Sequence, residues 1–176
     1  MAKKYRIETF GCQMNVHDSE RMAGLLDQAG YESTNDDRDA DVIVINTCSV
    51  REHAEDKLYT RLGEIRVLGE ETGRRPSVAV TGCVAQQEGR SLLTRTNGHV
   101  IDVVVGTQRI KLLPMLLDRA SHSARSEVDV DPWDDVGFPL GIAKRGDPVK
   151  AYITKLTPKR YAISRCWLPP GTGEAI

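Results

Sequence analysis

The chain has 176 residues, enough for one domain with its own core and a short further segment. Its 24 Lys and Arg against 25 Asp and Glu leave a formal net charge of -1. The chain therefore lacks the net positive charge expected of a domain that binds nucleic acid by electrostatic attraction alone. With neither a signal core nor an Arg- and Ser-rich leader at the amino terminus, and no apolar stretch long enough to cross a bilayer, we expect a cytoplasmic protein without a membrane partner.

Short β-rich runs alternate with helical patterns up to about residue 118, which is typical of βαβ units around a parallel sheet. The strand candidates are residues 5–10, 41–46, 77–81 and 101–105, with a short additional strand from Tyr31. The first helix is predicted to start at Asp18 or Ser19 and to stop at Gly30. The sequence therefore predicts an α/β fold with an open, mostly parallel sheet of about four to five strands and flanking helices, a flavodoxin- or Rossmann-like three-layer sandwich.

The composition changes after residue 118. Residues 119–148 are rich in Ser, Asp, Pro and Gly and lose the periodicity, which indicates a linker. A strand pattern resumes from Val149 to Thr154, and the remainder shows no sustained period. We therefore predict a first domain over residues 1–118, a linker over 119–148, and over 149–176 the start of a further region that ends in a tail with little structure of its own.

Three cysteines, Cys12, Cys48 and Cys83, each fall one or two residues beyond a predicted strand. Since parallel strands all point the same way, residues that follow different strands meet at one edge, where open α/β sheets bind ligands. Each cysteine also precedes a helix start closely, and the helix dipole favours the thiolate that a metal needs. The pattern favours a metal or cluster site over three small buried side chains. Three thiolates with a water also suit a zinc ion. Zinc is the less natural choice, however, because the cysteines are far apart in the sequence and form no CxxC pair.

Other polar side chains occupy the same strand-end segments. Four of them are candidates for hydrogen bonds to a bound group and are equally suited to turns and caps: Gln13, Asn15, Asn46 and Thr107. His17 and His53 follow two of the cysteines closely, but a solvated histidine at a helix start is the commoner case. Cys166 is alone and is interpreted as an unpaired, exposed thiol.

Taken together, these segments resemble the amino-terminal domain of the tRNA methylthiotransferases, and within them the MiaB type. The similarity covers residues 5 to about 154. It lies in Thr-Phe-Gly-Cys-Gln-Met-Asn at 9–15, Asn-Thr-Cys-Ser-Val-Arg at 46–51, Gly-Cys-Val-Ala-Gln-Gln-Glu-Gly at 82–89 and Val-Val-Gly-Thr at 104–107.

The resemblance implies that Cys12, Cys48 and Cys83 bind an auxiliary 4Fe–4S cluster and leave one iron open to a small sulfur-containing ligand. It implies no catalytic side chain in this domain. It further implies a whole enzyme that transfers a methylthio group to N6-isopentenyladenosine in tRNA. That enzyme would need a second 4Fe–4S cluster and S-adenosylmethionine in a following radical-SAM barrel, and a further module to hold the tRNA.

The chain departs from the family after Thr154. A CxxxCxxC loop is expected there, and the sequence instead reads Lys-Leu-Thr-Pro-Lys-Arg-Tyr-Ala-Ile-Ser-Arg-Cys. We interpret this tail as divergent, the product of a shifted reading frame or a truncated gene. The alternative function is therefore a non-catalytic iron–sulfur or zinc-binding fragment. A third candidate function is flavodoxin-like nucleotide binding. It would need a phosphate-binding loop, and this sequence contains none.

Overall fold

The computed structural model describes residues 2–49, 54–96, 100–123 and 125–131. The strands of this part are β1 Lys4–Phe10, β2 Glu32–Ser33, β3 Val42–Thr47, β4 Ser77–Gly82, β5 Val103–Val105 and β6 Glu127–Asp129. The α-helices are α1 Gln13–Gln28, α2 Ala54–Thr72, α3 Cys83–Glu88, α4 Ser91–Arg95 and α5 Leu113–His122, and a 3-10 turn, Ile110–Leu112, leads into the last of them. No helix within these ranges is long and apolar enough to cross a membrane.

The strands form one sheet in the order β2-β1-β3-β4-β5-β6, and every pairing is parallel. The predicted α/β fold with an open parallel sheet is confirmed. The sheet has six strands in the described part rather than the predicted four to five. The additional strand, β6, lies at the edge of the sheet, within the residues whose composition indicates a linker.

The core lies on both faces of the sheet because alternate residues of the central strands point in opposite directions. Ile43 and Ile45 of β3 pack in the cluster that includes Leu58 of α2. Val42 and Val44 pack on the opposite face in the cluster that includes Met22 of α1. All residues of β3 are buried, as expected for a parallel strand covered by helices on both sides.

Helix α1 begins at Gln13, five residues before Asp18 and six before Ser19, the two predicted starts. The reason is that Cys12 takes the extended backbone of an N-cap, and Asn15 supplies the side chain that satisfies the Cys12 N–H. The predicted stop is confirmed, since Gly30 has a φ of 85° just after the helix. The earlier start matters because it places Cys12 directly at a helix N-terminus.

Several sequence predictions fall outside the described residues. They concern His53, the strand over residues 149–154, the tail and Cys166.

Candidate metal centre

The registers of the sheet bring the three predicted cysteines to one edge. Phe10, the last residue of β1, pairs with Thr47 of β3, and Thr47 pairs with Gly82 of β4. Cys48 and Cys83 each directly follow the end of a strand, and Cys12 follows β1 by two residues. Neighbouring strands lie about 4.8 Å apart, so the main chains that carry the three cysteines lie side by side at the carboxyl edge of three adjacent strands.

The three thiols differ in exposure. None of the three forms a disulfide within the described residues; Cys48 is buried, at 1% exposure, whereas Cys12 and Cys83 are half-buried. The Cys48 N–H donates to the Phe10 carbonyl at 3.1 Å, which extends the β1–β3 pairing to the cysteine. Cys48, on the middle strand, therefore lies on the buried side of the site, and Cys12 and Cys83 lie nearer to solvent.

Gly82 allows the turns that carry Cys48 and Cys83 to pack together. Its φ is 96°, a backbone conformation that L side chains rarely adopt. A Cβ at this position would collide with the Thr47 carbonyl and the Asn46 side chain. Only glycine therefore fits between the two cysteine turns, and α3 can begin at Cys83 immediately after the strand.

The cysteine turns also contain buried polar atoms without partners. The hydroxyls of Thr47 and Thr81 are buried and make no hydrogen bond within the described part of the chain. Thr47 directly precedes Cys48, and Thr81 lies two residues before Cys83. Buried hydroxyls normally find a partner, so two unsatisfied hydroxyls close in sequence to Cys48 and Cys83 are consistent with a site that receives a further group.

The donor set suits a thiophilic group. Three thiols from three separate strands, two of them at helix N-termini, are the ligand type of iron–sulfur clusters and of zinc. No three His, Cys, Asp or Glu side chains among the described residues already surround a point where one metal ion would sit.

The other sequence candidates are placed differently. Gln13 is exposed, and His17 and Thr107 are half-buried. Asn15 and Asn46 are buried and hydrogen-bonded to each other directly behind Cys12. Sequence reasoning missed Thr47 and Thr81, although a threonine beside a cysteine at a strand end was a visible signal.

Asp18 carries the clearest electrostatic anomaly near this edge. It lies on α1, one helical turn after Asn15. Burial raises the pKa of its carboxyl from 3.8 to about 6, and the nearby Arg21 guanidinium only partly offsets that rise. Sequence reasoning considered Asp18 only as a helix cap.

Fold and edge together define a class: an open parallel α/β domain with cysteines at the carboxyl ends of three adjacent strands. Residues 4–106, more than half of the chain, match the family described as "Uncharacterized protein family UPF0004". The chain belongs to this family, and the resemblance to the tRNA methylthiotransferases is confirmed by its relatives.

Those relatives carry one name. The chain is 46% identical over 177 residues to a tRNA-2-methylthio-N(6)-dimethylallyladenosine synthase of Saccharopolyspora erythraea, an alignment covering 99% of this chain and 35% of the relative. It is 43% identical over 176 residues to the protein of that name in Corynebacterium diphtheriae, covering 99% and 33%. The synthase 2 of Mycobacterium marinum is 48% identical over 129 residues, covering 73% and 24%. The chain spans about a third or less of the length of these curated relatives.

Proposed function

We propose that Cys12, Cys48 and Cys83 are the three protein ligands of a 4Fe–4S cluster, and that this chain is the cluster-holding part of a tRNA methylthiotransferase. The observation that carries the proposal is the equivalent placement of the three cysteines just beyond three adjacent parallel strands. The names of the relatives support the enzyme class.

The chain's own residues would hold and orient the cluster. Cys48 anchors it on the buried side, and Cys12 and Cys83 approach from the two outer turns. Cys12 is the N-cap residue of α1 and Cys83 is the first residue of α3, positions at which the helix dipole stabilises negative charge on a bound group. When bound, the cluster would supply an iron without a protein ligand, at which a small sulfur compound can bind.

The rest of the reaction belongs to the whole protein. A methylthio transfer to N6-isopentenyladenosine would need a second 4Fe–4S cluster and S-adenosylmethionine beyond this domain. The tRNA would be held elsewhere too, because this chain has a net charge of -1. With tRNA as its substrate, we expect the whole protein to act in the cytoplasm.

Anaerobic reconstitution tests the proposal. The chain, given ferrous iron and sulfide, should retain about four of each per chain and develop a charge-transfer absorption. Replacing Cys12, Cys48 or Cys83 by Ala should lower the retained iron strongly, because each removes one of three ligands. Cys166→Ala is the matched control and should retain the full amount.

Two results would overturn this function. One is a Cys12→Ala variant that keeps its full iron and sulfide content. The other is a wild-type chain that binds one zinc ion through the same three thiols and excludes the cluster, which would favour the non-catalytic, zinc-binding alternative.

A further inference from the structure

Two amide side chains lie buried directly behind the cysteine edge: Asn15 of α1 and Asn46 of β3 are 2% and 0% exposed. Asn15 Nδ2 donates to Asn46 Oδ1 at 2.9 Å. In return, Asn46 Nδ2 donates to the Asn15 main-chain carbonyl at 2.8 Å and to Ser19 Oγ at 3.0 Å. The pair thus joins the first turn of α1 to the end of β3 through reciprocal hydrogen bonds away from solvent.

The orientation of both amides is fixed by main-chain atoms that cannot exchange roles. The Asn15 carbonyl only accepts, so the amide nitrogen of Asn46 must face it. The Thr47 carbonyl, 3.3 Å from Asn15 Nδ2, also only accepts, and the Cys12 N–H, 3.2 Å from Asn15 Oδ1, only donates. Neither amide can flip without placing two acceptors or two donors against each other.

This arrangement connects two cysteine turns through one side chain. The oxygen of Asn15 accepts a hydrogen bond from the Cys12 N–H at 3.2 Å and one from the Cys12 thiol at 3.3 Å. The nitrogen of the same amide approaches the carbonyl of Thr47, the residue that directly precedes Cys48. Helix capping alone would need only the oxygen, so the bridge to Thr47 and the buried Asn46 require another explanation.

We propose that Asn15 is a positioning residue, locked by Asn46, that fixes the spacing of the Cys12 and Cys48 turns before any metal arrives. The proposal rests on the proposed function of the cysteines. The pair acts as a rigid second layer behind the ligands, so cluster binding does not need to order the two turns. Gly11 agrees with this role, because a Cβ there would lie 2.5 Å from the Asn15 side chain.

The first arm of the test uses the full chain without metal. Amide hydrogen exchange of the Cys12 N–H, followed by NMR, should be slow in the wild type and clearly faster in Asn15→Ala, which removes its acceptor. In Asn46→Ala the acceptor stays but its lock is lost, and the exchange should be intermediate. Exchange at the wild-type rate in both variants would overturn the proposal.

The second arm measures iron loss from the reconstituted full chain to a ferrous chelator. Asn15→Ala and Asn46→Ala should lose iron about 10- to 100-fold faster than the wild type, the usual effect of removing a partner behind a metal ligand. The midpoint potential and the electron paramagnetic resonance of the reduced cluster should shift as well. A loss of fold stability alone does not move these two quantities.

Ser19→Ala is the matched control. It removes one hydrogen bond from the same Asn46 amide and the contact of Ser19 with Thr9, but leaves both hydrogen bonds between Asn15 and Asn46 in place. It should lower stability as the other variants do but leave iron release at the wild-type rate. Because Asn15 and Asn46 lie on different elements, either variant carries the test if the other does not fold.

The outcomes separate this inference from the function on which it rests. A wild-type chain that holds no iron overturns the proposed function. A wild type that holds iron, with Asn15→Ala and Asn46→Ala losing it no faster, overturns only the positioning role. Release that is as fast in Ser19→Ala as in the two asparagine variants also overturns the positioning role, because general destabilisation then explains the effect.

Discussion

Asp18 is a half-buried carboxyl whose environment penalises its charge. Its pKa rises from 3.8 to about 6 because burial outweighs the attraction of Arg21. Below about pH 4 the carboxyl is protonated in both the folded and the unfolded chain. Between pH 3.8 and about pH 6 only the folded chain keeps the proton, because burial favours the neutral carboxyl. The fold therefore loses stability as the pH rises through that window and the buried carboxyl becomes charged.

Asp18→Asn should therefore stabilise the fold at pH 7 to 8. We expect a gain of about 1 to 2 kcal/mol in the free energy of unfolding. This is less than the full pKa shift would give at roughly 1.4 kcal/mol per pKa unit, because solvent screens the exposed part of the side chain. Urea unfolding from pH 4 to 8 measures it, and the gain should shrink towards pH 4. Asp131→Asn, at an exposed position, is the control. A gain for Asp18→Asn that does not change with pH would contradict the burial argument.

At the residue scale the sequence predicts which thiols lie at strand ends but not what holds them. Cys48 and Cys83 follow from strand periodicity and from the common direction of parallel strands. The contact between Asn15 and Asn46 spans 31 positions. It depends on the β1–β3 register and on a helix that starts at Gln13, and no local pattern in a single sequence specifies either of these.

A partly buried cluster of charges joins helix α2 to strand β1. Arg61 donates from Nε and one terminal nitrogen to both carboxylate oxygens of Glu8, each at 2.8 Å, and also contacts Asp37. The Arg61 and Glu8 side chains are only 14% and 13% exposed. Burial lowers the pKa of Arg61, but the hydrogen bonds that Arg61 donates to Glu8 and Asp37 outweigh this and raise the pKa, so the guanidinium stays charged.

Arg61→Ala should destabilise the fold because it leaves the Glu8 carboxylate poorly solvated and without its bidentate partner. We expect a loss of about 2 to 3 kcal/mol in the free energy of unfolding, near the lower end of the range for breaking a buried pair. Arg66→Ala on the same helix is the matched control, since its i,i+4 pair with Glu70 is 67% and 64% exposed. The control should lose less than about 0.5 kcal/mol. Equal losses in denaturant unfolding would show that the Arg61 cluster adds nothing beyond a surface pair.

At the element scale the sequence predicts the strong strands and misses the weak one. Strand β3 is a continuous apolar run and follows from its composition. Strand β6 has only three residues, all half-buried, in a stretch rich in polar residues. It forms because β5 offers an open edge and Arg109 holds Asp129 at 2.6 Å. These are tertiary features that composition does not report.

At the scale of the whole molecule, the charge balance limits what this chain binds by itself. The net charge is -1 and the sequence pI is about 6.4. Many of the arginines are neutralised within the described part of the chain; Arg6, Arg61, Arg75 and Arg109 all pair with carboxylates. These four cations are therefore not available to displace the counterions of an RNA backbone.

The isolated chain should consequently bind tRNA weakly even if its whole protein modifies tRNA. Each phosphate contact steepens the salt dependence of binding, and a chain with a net charge of -1 gains little from counterion release. Fluorescence anisotropy with labelled tRNA should show a dissociation constant above about 10⁻⁵ M near physiological salt, within or above the non-specific range. Reconstituting the cluster should not tighten it, because the cysteine edge presents thiolates rather than cations. Tight, steeply salt-dependent binding by the isolated chain would contradict the division of labour proposed here, and would mean that this domain itself grips the RNA.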